Sequence, residues 1–324
     1  MRLYFASLRL CARNIFFPEY KTASKIVLSF LTIILFFHAI SLNNCFAEEK
    51  IELVLVDTLH GLPSDLGQFG PVTALVFDPD GSLYALEETG RRIIHVSNDG
   101  RYLAQAGGFG FGEGAFHKPA DITMVGFEIW VSDVLGGRIV RFDRYFAPLG
   151  IFGKTLNEDD YLPFDRPVSV AHSLSGDIIV IESDRNEALL IDDEGRLIDR
   201  FAEYGESEFG LISPSRAEIS SSGIIAIADE GRGAVLLFDR FGSPRGIRPY
   251  PLPDKGPLGI TWQDNNLWMC GVEGVAVFTP DNKSKVWSKE TFPAPVLDIA
   301  AQGDRLAVAI GNSVKIYRVV TNDH

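Results

Sequence analysis

Residues Pro71–Gly107 read PVTALVFDPDGSLYALEETGRRIIHVSNDGRYLAQAG. The stretch holds four short runs rich in Val, Ile, Leu, Tyr and Phe, and the segments between them are Asp-Pro-Asp-Gly, Thr-Gly and Asn-Asp-Gly. Short apolar runs bounded by such turn residues are typical of antiparallel strands joined by tight turns. The stretch therefore predicts a four-stranded antiparallel sheet.

The same pattern returns five more times along the chain. Each copy opens at a proline, and the openings are 38–48 residues apart. The opening prolines are Pro71, Pro119, Pro167, Pro214, Pro257 and Pro295. The sixth copy has only three runs, and the unassigned run Ile51–Asp57 can supply its fourth strand. Ring closure of this kind hides both sheet edges, so we predict an all-β six-bladed β-propeller closed by its N-terminal strand.

The repeat unit resembles the NHL repeat of six-bladed β-propellers over about residues 51–320. The motifs that carry the resemblance are Pro71–Gly81, Gly108–Phe116, Trp130–Asp133 and Arg138–Asp143. Copies five and six depart from the repeat, because Gly271 and Ile310 stand where an acid usually ends the second strand. The resemblance implies a fold that hosts binding modules, lyases, lactonases and hydrolases, and it leaves the activity open.

Residues 1–47 differ in composition from the rest of the chain. Ile26–Leu42 is almost wholly apolar, follows two lysines, and leads to small residues at Cys45 and Ala47. This pattern predicts a secretory signal peptide cleaved after Ala47, with 48–324 as the propeller domain. The alternatives are an uncleaved membrane anchor and lipid attachment at Cys45. We therefore expect an exported protein, periplasmic or extracellular, that meets a membrane only through an uncleaved N-terminal segment.

The charge of the chain excludes one class of partner. The sequence carries 30 Lys and Arg against 43 Asp and Glu, a net charge of −13, and the part after residue 47 carries −17. Nucleic-acid-binding proteins present a basic face, so we expect no nucleic-acid partner. Cys270 is the one cysteine after residue 47, and an internal disulfide is therefore not expected there. We expect a monomer.

In a propeller, the start of each innermost strand and the end of each second strand meet at one end of the central channel, called here the mouth. The residue two positions after each opening proline falls at this mouth. In the sixth copy the count is three, because that copy carries one extra residue. We predict a ligand site at the channel mouth formed by Thr73, Asp121, Ser169, Arg216 and Asp298. The second strands end at Glu87, Asp133, Glu182 and Asp229.

Most of these mouth residues are acidic. Carboxylates around one channel repel each other unless a cation lies among them, and carboxylate oxygens are the ligands that Ca²⁺ prefers. Asp121, Asp298, Asp133 and Asp229 are therefore candidate ligands of a divalent cation such as Ca²⁺. The alternative is local structure, in which a strand-ending acid bonds a backbone N–H or a nearby arginine, as Asp133 could with Arg138.

The resemblance to NHL-repeat propellers also implies metal-dependent lyases and lactonases as candidate functions. Lyases of this fold hold zinc with several histidines, but here only His60 and His117 fall on the mouth side, and zinc needs three or four ligands. Lactonases of the fold use a Glu, two Asn and an Asp, and no Asn stands at the mouth positions. The Gly-rich run 107–114 lacks the ending of a phosphate-binding loop and is interpreted as a turn.

Two functions follow from these observations. The first is a non-enzymatic binding or scaffold module for a protein, peptide or glycan, which uses the channel mouth and the loops 154–165 and 248–255. The second of these loops carries Tyr250 among prolines. The alternative is a metal-dependent hydrolase or lyase, lactonase-like or amidating-lyase-like, in which Asp121 and Asp298 hold a cation. The absence of a complete catalytic set favours the binding module.

Overall fold

Six four-stranded β-sheets make up the described part of the chain. The computed structural model describes residues 50–60, 69–153, 164–173, 175–205, 207–253, 256–280, 282–288 and 291–322. Over these ranges there are 24 strands and no helix, so no helix there could cross a membrane. The predicted signal segment lies outside the described residues.

Five sheets are formed by four consecutive strands each, and we number them as blades 1–5. Blade 1 comprises β2 (Val72–Phe77), β3 (Leu83–Glu87), β4 (Arg92–Val96) and β5 (Tyr102–Gly107). Blade 2 comprises β6 (Pro119–Val125), β7 (Glu128–Asp133), β8 (Arg138–Asp143) and β9 (Pro148–Gly153). Blade 3 comprises β10 (Pro167–His172), β11 (Ile178–Glu182), β12 (Glu187–Ile191) and β13 (Leu197–Phe201).

The remaining sheets complete the set. Blade 4 comprises β14 (Pro214–Ile219), β15 (Ile225–Asp229), β16 (Ala234–Phe238) and β17 (Pro244–Pro249). Blade 5 comprises β18 (Gly259–Gln263), β19 (Asn266–Gly271), β20 (Gly274–Phe278) and β21 (Ser284–Trp287). Blade 6 comprises β22 (Val296–Gln302), β23 (Arg305–Ile310), β24 (Ser313–Asn322) and, in the outer position next to β24, β1 (Lys50–Leu59).

Apolar layers between neighbouring blades hold the ring together. Leu86 of blade 1 shares one buried cluster with Val131 and Phe142 of blade 2, and equivalent clusters lie between each later pair. A further cluster joins blade 1, through Leu83, to Val314 of blade 6. Each fully buried Leu, Val or Phe stabilises the fold by about 1.5–3 kcal/mol. The prediction of an all-β six-bladed propeller is therefore confirmed.

The strand patterns follow from this packing. The second strands, such as β11 with the sequence IIVIE, are buried along their length, apart from a half-buried first residue in β7, β19 and β23, because a neighbouring blade covers each face. The outermost strand β5 of blade 1 alternates between half-buried and exposed residues. Continuous buried apolar runs therefore mark the middle of a blade, and exposed residues become frequent in its outermost strand.

A β-bulge near the start of the innermost strand sets the register of the mouth. In blades 2, 3, 4 and 6 the bulge directly precedes Asp121, Ser169, Arg216 and Asp298. In blade 1 the bulge lies between Val72 and Ala74, so Thr73 is the residue without a partner in β3. The register thus places Ala74, and not the predicted Thr73, at the position equivalent to Asp121. Bulges of this kind re-aim the side chains beside them.

Candidate functional site

Three mouth side chains bind the main chain of the following blade. The innermost strand of each blade has one edge free toward the channel, and its N–H groups need acceptors when they are buried. The three bonds run from Val170 N to Asp121 Oδ2 (3.2 Å), from Ala217 N to Ser169 Oγ (2.9 Å) and from Leu75 N to Asp298 Oδ2 (2.8 Å). The last bond joins blade 6 to blade 1, so these side chains hold blades to each other.

Arg216 crosses the channel from blade 4. Its guanidinium donates to Asp121 Oδ1, and its Nη2 lies 3.4 Å from Asp298 Oδ1. The same Nη2 donates to the carbonyl oxygen of Thr73 at 3.0 Å. Arg216 is 7% exposed and each of the two aspartates is 3% exposed. One internal cation therefore lies between two buried carboxylates and offsets one of their two negative charges, and Thr73 takes part through its backbone.

Gly259 provides the space that this arrangement needs. It occupies the equivalent position in blade 5, where it pairs with Cys270. A Cβ atom on Gly259 would lie 2.4 Å from Asp298 Oδ1 and 3.0 Å from the Cys270 sulfur. A side chain at this position would thus displace the aspartate.

Burial and charge act against each other in this cluster. Burial raises the pKa of Asp298 to about 7, and the neighbouring Asp121 adds to the rise while Arg216 opposes it. Burial also raises the pKa of Asp121, against the effects of Arg216 and the Ser169 hydroxyl. Burial disfavours the charged form of Arg216, but the two aspartates raise its pKa above the usual value. The arginine therefore stays charged at neutral pH.

The strand-ending acids bind the links between blades. Asp133 accepts from the backbone N–H groups of His117 (3.0 Å) and Lys118 (2.6 Å) and pairs with Arg138 Nε at 3.1 Å. Glu87, Glu182 and Asp229 make the corresponding bonds in blades 1, 3 and 4. All four carboxylates are buried. Each one therefore fixes the chain where it enters a blade.

The four candidate metal ligands occupy two different environments. Asp121 and Asp298 come together, and the cation between them is Arg216. Asp133 and Asp229 are instead bonded to the link backbones of their own blades. Among the described residues, the group of acids close enough to share a metal is Asp192, Asp193 and Glu194, which forms a β12–β13 turn and pairs with Arg196.

The histidines described in the structure pack in separate places. His95 stacks on Tyr84 at 4.1 Å between ring centroids, and His172 packs against Trp130 at 4.9 Å. His117 lies in the link before blade 2. The predicted contact residue Tyr250 is 7% exposed, and its hydroxyl donates to a backbone oxygen at 3.3 Å. The interpretation of Tyr250 as a contact surface was wrong, because its ring belongs to the core between blades 4 and 5.

An exposed aromatic group on the mouth-side face was missed from the sequence. Phe109 and Phe111 are 65% and 69% exposed, and the His117 ring lies between them, 5.4 and 5.1 Å from their centroids. The Arg91 guanidinium covers Phe109 at 4.9 Å, and Leu135 beside them is 51% exposed. These five residues are called the aromatic rim. Two Phe in a Gly-rich turn that needs no apolar residue were the available signal.

Comparisons with known proteins give a fold and no family. No protein-family model matches the chain, and no curated protein matches its sequence. Virginiamycin B lyase from Staphylococcus aureus superposes with a TM-score of 0.55 at 16% identity, over 84% of this chain and 100% of the lyase. A streptogramin B lyase gives 0.55 at 13% identity over 84% of this chain and 98% of that chain. A Bacteroides thetaiotaomicron protein of unknown function gives 0.61 at 15% identity, over 84% and 77%.

Proposed function

We propose that this chain is an exported binding module that holds a protein, peptide or glycan on its mouth-side face through the aromatic rim. Exposed clusters of large apolar side chains mark interaction sites, and aromatic residues dominate binding energy at such sites. The observation that carries the proposal is the pair Phe109 and Phe111, both about two-thirds exposed and adjoining one histidine.

The loop that presents these two rings is held rigidly. Gly108 N donates to Arg91 O at 2.8 Å, and Arg91 Nε donates to His117 O at 2.8 Å. Arg138 donates to three loop carbonyl oxygens, including that of Phe111 at 2.7 Å. The buried Asp133 holds Arg138 in turn. A pre-ordered loop loses little conformational entropy on binding, which favours a recognition role.

The test compares two matched double variants in ligand capture. Phe109→Ser with Phe111→Ser removes the aromatic rim, and Phe127→Ser with Tyr145→Ser removes two exposed rings elsewhere, 62% and 81% exposed. Immobilised wild-type and variant proteins are offered exported proteins and a glycan panel. We expect the rim variant alone to lose its bound partner. Equal retention by both variants would contradict the proposal.

The alternative is a metal-dependent hydrolase or lyase of lactonase-like or amidating-lyase-like type. The fold shared with virginiamycin B lyase supports an enzyme, and the position of Arg216 between Asp121 and Asp298 speaks against a metal there. We expect the melting temperature to be unchanged by EDTA and elemental analysis to find no stoichiometric divalent metal. A bound metal with turnover of a lactone or of an amidated-peptide precursor would favour the alternative.

The N-terminal part of the chain carries the proposal of export and ring closure. We infer that residues 1–47 direct export, that the mature chain of NHL-like repeats begins at Glu48, and that β1 closes the ring as the outer strand of blade 6. A monomer is expected. Mass spectrometry of the exported protein tests the cleavage site, since an N-terminus other than Glu48 would contradict it.

A further inference from the structure

A second polar region lies inside the channel, beyond Arg216. The innermost strands enclose a cavity of about 200 Å³ there. Met124, His172 and Ile219 belong both to its wall and to a groove of about 590 Å³ between blades 2, 3 and 4. The groove therefore gives access to the cavity. Between this cavity and Arg216, the channel leaves a space of only about 10 Å³, which is enough for one water molecule.

The wall of this cavity suits a cation better than an anion. Among the described residues, its polar side chains are the Glu218 carboxyl, the hydroxyls of Thr123 and Thr261, the Gln302 amide and the His172 and Trp262 rings, and none of the lining residues is Lys or Arg. The Gln302 NH₂ group donates to a backbone oxygen at 2.7 Å, so its carbonyl oxygen is left as an acceptor. The wall thus offers oxygen acceptors from Glu218, the two threonines and Gln302, beside one buried donor without a partner, Trp262 Nε1.

Glu218 is the acid at the centre of this wall. It is half-buried, and no described residue donates a hydrogen bond to its carboxyl or forms an ion pair with it. Its position in β14 is two residues after Arg216, whose guanidinium is bound to the two aspartates at the mouth. The fold therefore leaves this carboxyl without a partner while the mouth carboxylates share one.

The charged groups around Glu218 set its protonation. Burial, with smaller effects of Asp121 of β6 and Asp298 of β22, raises its pKa to about 8 against the opposing effect of Arg216. His172 of β10 is the other titratable group on the wall, and burial lowers its pKa, so it is neutral at pH 7. Strands β2 and β18 contribute no titratable residue to the wall. A cationic ligand would make the ionised form of Glu218 favourable.

We propose that this cavity binds the primary ammonium group of a small alkylamine, with the ammonium on Glu218 and the alkyl part against Trp262 and Met124. An ammonium carries three N–H donors, which the oxygen acceptors of the wall can receive. The Trp262 ring offers an apolar surface to the alkyl chain, and the flexible Met124 side chain adapts its shape to it. An amine on a free metabolite or on a peptide end presents the same chemistry.

The test is calorimetric titration with n-butylammonium, and 1-butanol, butyrate and K⁺ are the comparison ligands. We expect butylammonium alone to bind. Glu218→Gln keeps the side-chain volume and should weaken binding at least tenfold at pH 9, where the wild-type carboxyl is ionised. Glu88→Gln, which removes an exposed acid on a turn of blade 1, should leave binding unchanged. A short peptide with a lysine or a free N-terminal amine is titrated in parallel. Tighter binding of the peptide than of butylammonium would indicate a peptide amine as the ligand, and weaker binding would indicate the amine of a small metabolite.

A second measurement uses the wild-type protein alone. With a pKa of about 8, roughly a tenth of Glu218 is ionised at pH 7 and roughly nine-tenths at pH 9, so butylammonium should bind about tenfold more tightly at pH 9. At pH 7 nearly one proton should be released per ligand, which titrations in buffers of different ionisation heat detect. Binding of 1-butanol or K⁺ with equal affinity, binding unchanged in Glu218→Gln, or no binding of butylammonium would overturn the proposal.

Discussion

Replacing Arg216 with methionine, which keeps much of the length of the side chain and removes its charge, should destabilise the propeller by about 3–5 kcal/mol at pH 7.5. The substitution leaves Asp121 and Asp298 buried without a cation, each at 3% exposure. It also removes the donor that serves the carbonyl oxygen of Thr73. Removing one partner of a buried ion pair is costly because the remaining charge stays out of water.

Protonation limits this cost and gives it a pH dependence. A buried carboxylate can instead take up a proton, which from an unfolded-state pKa of 3.8 costs about 5 kcal/mol at pH 7.5 and about 1.6 kcal/mol at pH 5. The loss caused by Arg216→Met should therefore shrink toward about 2 kcal/mol at pH 5. Adding Asp298→Asn to the variant removes one of the two charges and should restore about half of the loss at pH 7.5.

Urea unfolding followed by tryptophan fluorescence at pH 7.5 and pH 5 measures these differences. Arg101→Met is the matched control, because Arg101 and its partner Asp99 are 78% and 62% exposed. An exposed pair contributes less than about 1 kcal/mol, so this control should remain close to wild type. A loss below about 1 kcal/mol in Arg216→Met, or a loss that does not shrink at pH 5, would refute the reasoning.

Three further predictions concern the same ring. The pKa of Asp298 is raised to about 7 from 3.8, so its carboxyl holds a proton in the folded protein that the unfolded chain releases. This group should make stability fall by up to about 1.4 kcal/mol per unit as the pH rises from about 4 to 7, and Asp298→Asn should remove this part of the slope in urea titrations while the part due to Glu218 remains. Gly259→Ala should cost about 1–3 kcal/mol by displacing that aspartate, whereas Gly112→Ala, with no atom within 4 Å of the added carbon, should be neutral in thermal melting. Asp133→Ala should cost about 3 kcal/mol and raise amide hydrogen exchange in the link 107–118, and unchanged exchange there would contradict its anchoring role.

The fold could be predicted from the sequence because similar local signals recur in each repeat, even where copies five and six depart from the motif. Turn residues such as those of Asp78–Gly81 return at nearly constant spacing, and the apolar runs between them are long enough for strands that are buried on both faces. Each signal is weak alone, since a short apolar run is compatible with a buried helix. Repetition removes the ambiguity, because a repeat of about 45 residues cannot bury its faces without neighbours of the same kind.

The mouth could be predicted only in part. Equivalence between repeats brought Asp121, Arg216 and Asp298 to one level of the channel, since residues at the same position of each repeat lie at the same depth. Blade 1 carries one extra residue between its opening proline and the bulge, as the sixth copy does, which is why Ala74 stands where Thr73 was expected. Spacing could not show which cation lies between the carboxylates, because that depends on whether one arginine is long enough to cross the channel.

The interior cavity was not predicted from the sequence, because only the mouth position of each innermost strand was compared between repeats. Two residues further along, the equivalent positions are Val76, Thr123, Ala171, Glu218, Thr261 and Ala300. One acid among small, apolar and hydroxyl residues is a signal that the same comparison can detect. The Glu218 carboxyl is a candidate ligand group because none of the other five equivalent positions carries a positive charge.

Charge compensation distinguishes the two polar levels of the channel. At the mouth, Arg216 already lies between the two aspartates, and a ligand cation there would have to displace a guanidinium that is held by two carboxylates and a backbone oxygen. At the inner level, Glu218 lacks a partner among the described residues, so a cation gains its full interaction without displacing a protein group. The acidic composition of the channel therefore argues for a cation site at Glu218 and for a structural role at the mouth, where sequence alone placed the ligand.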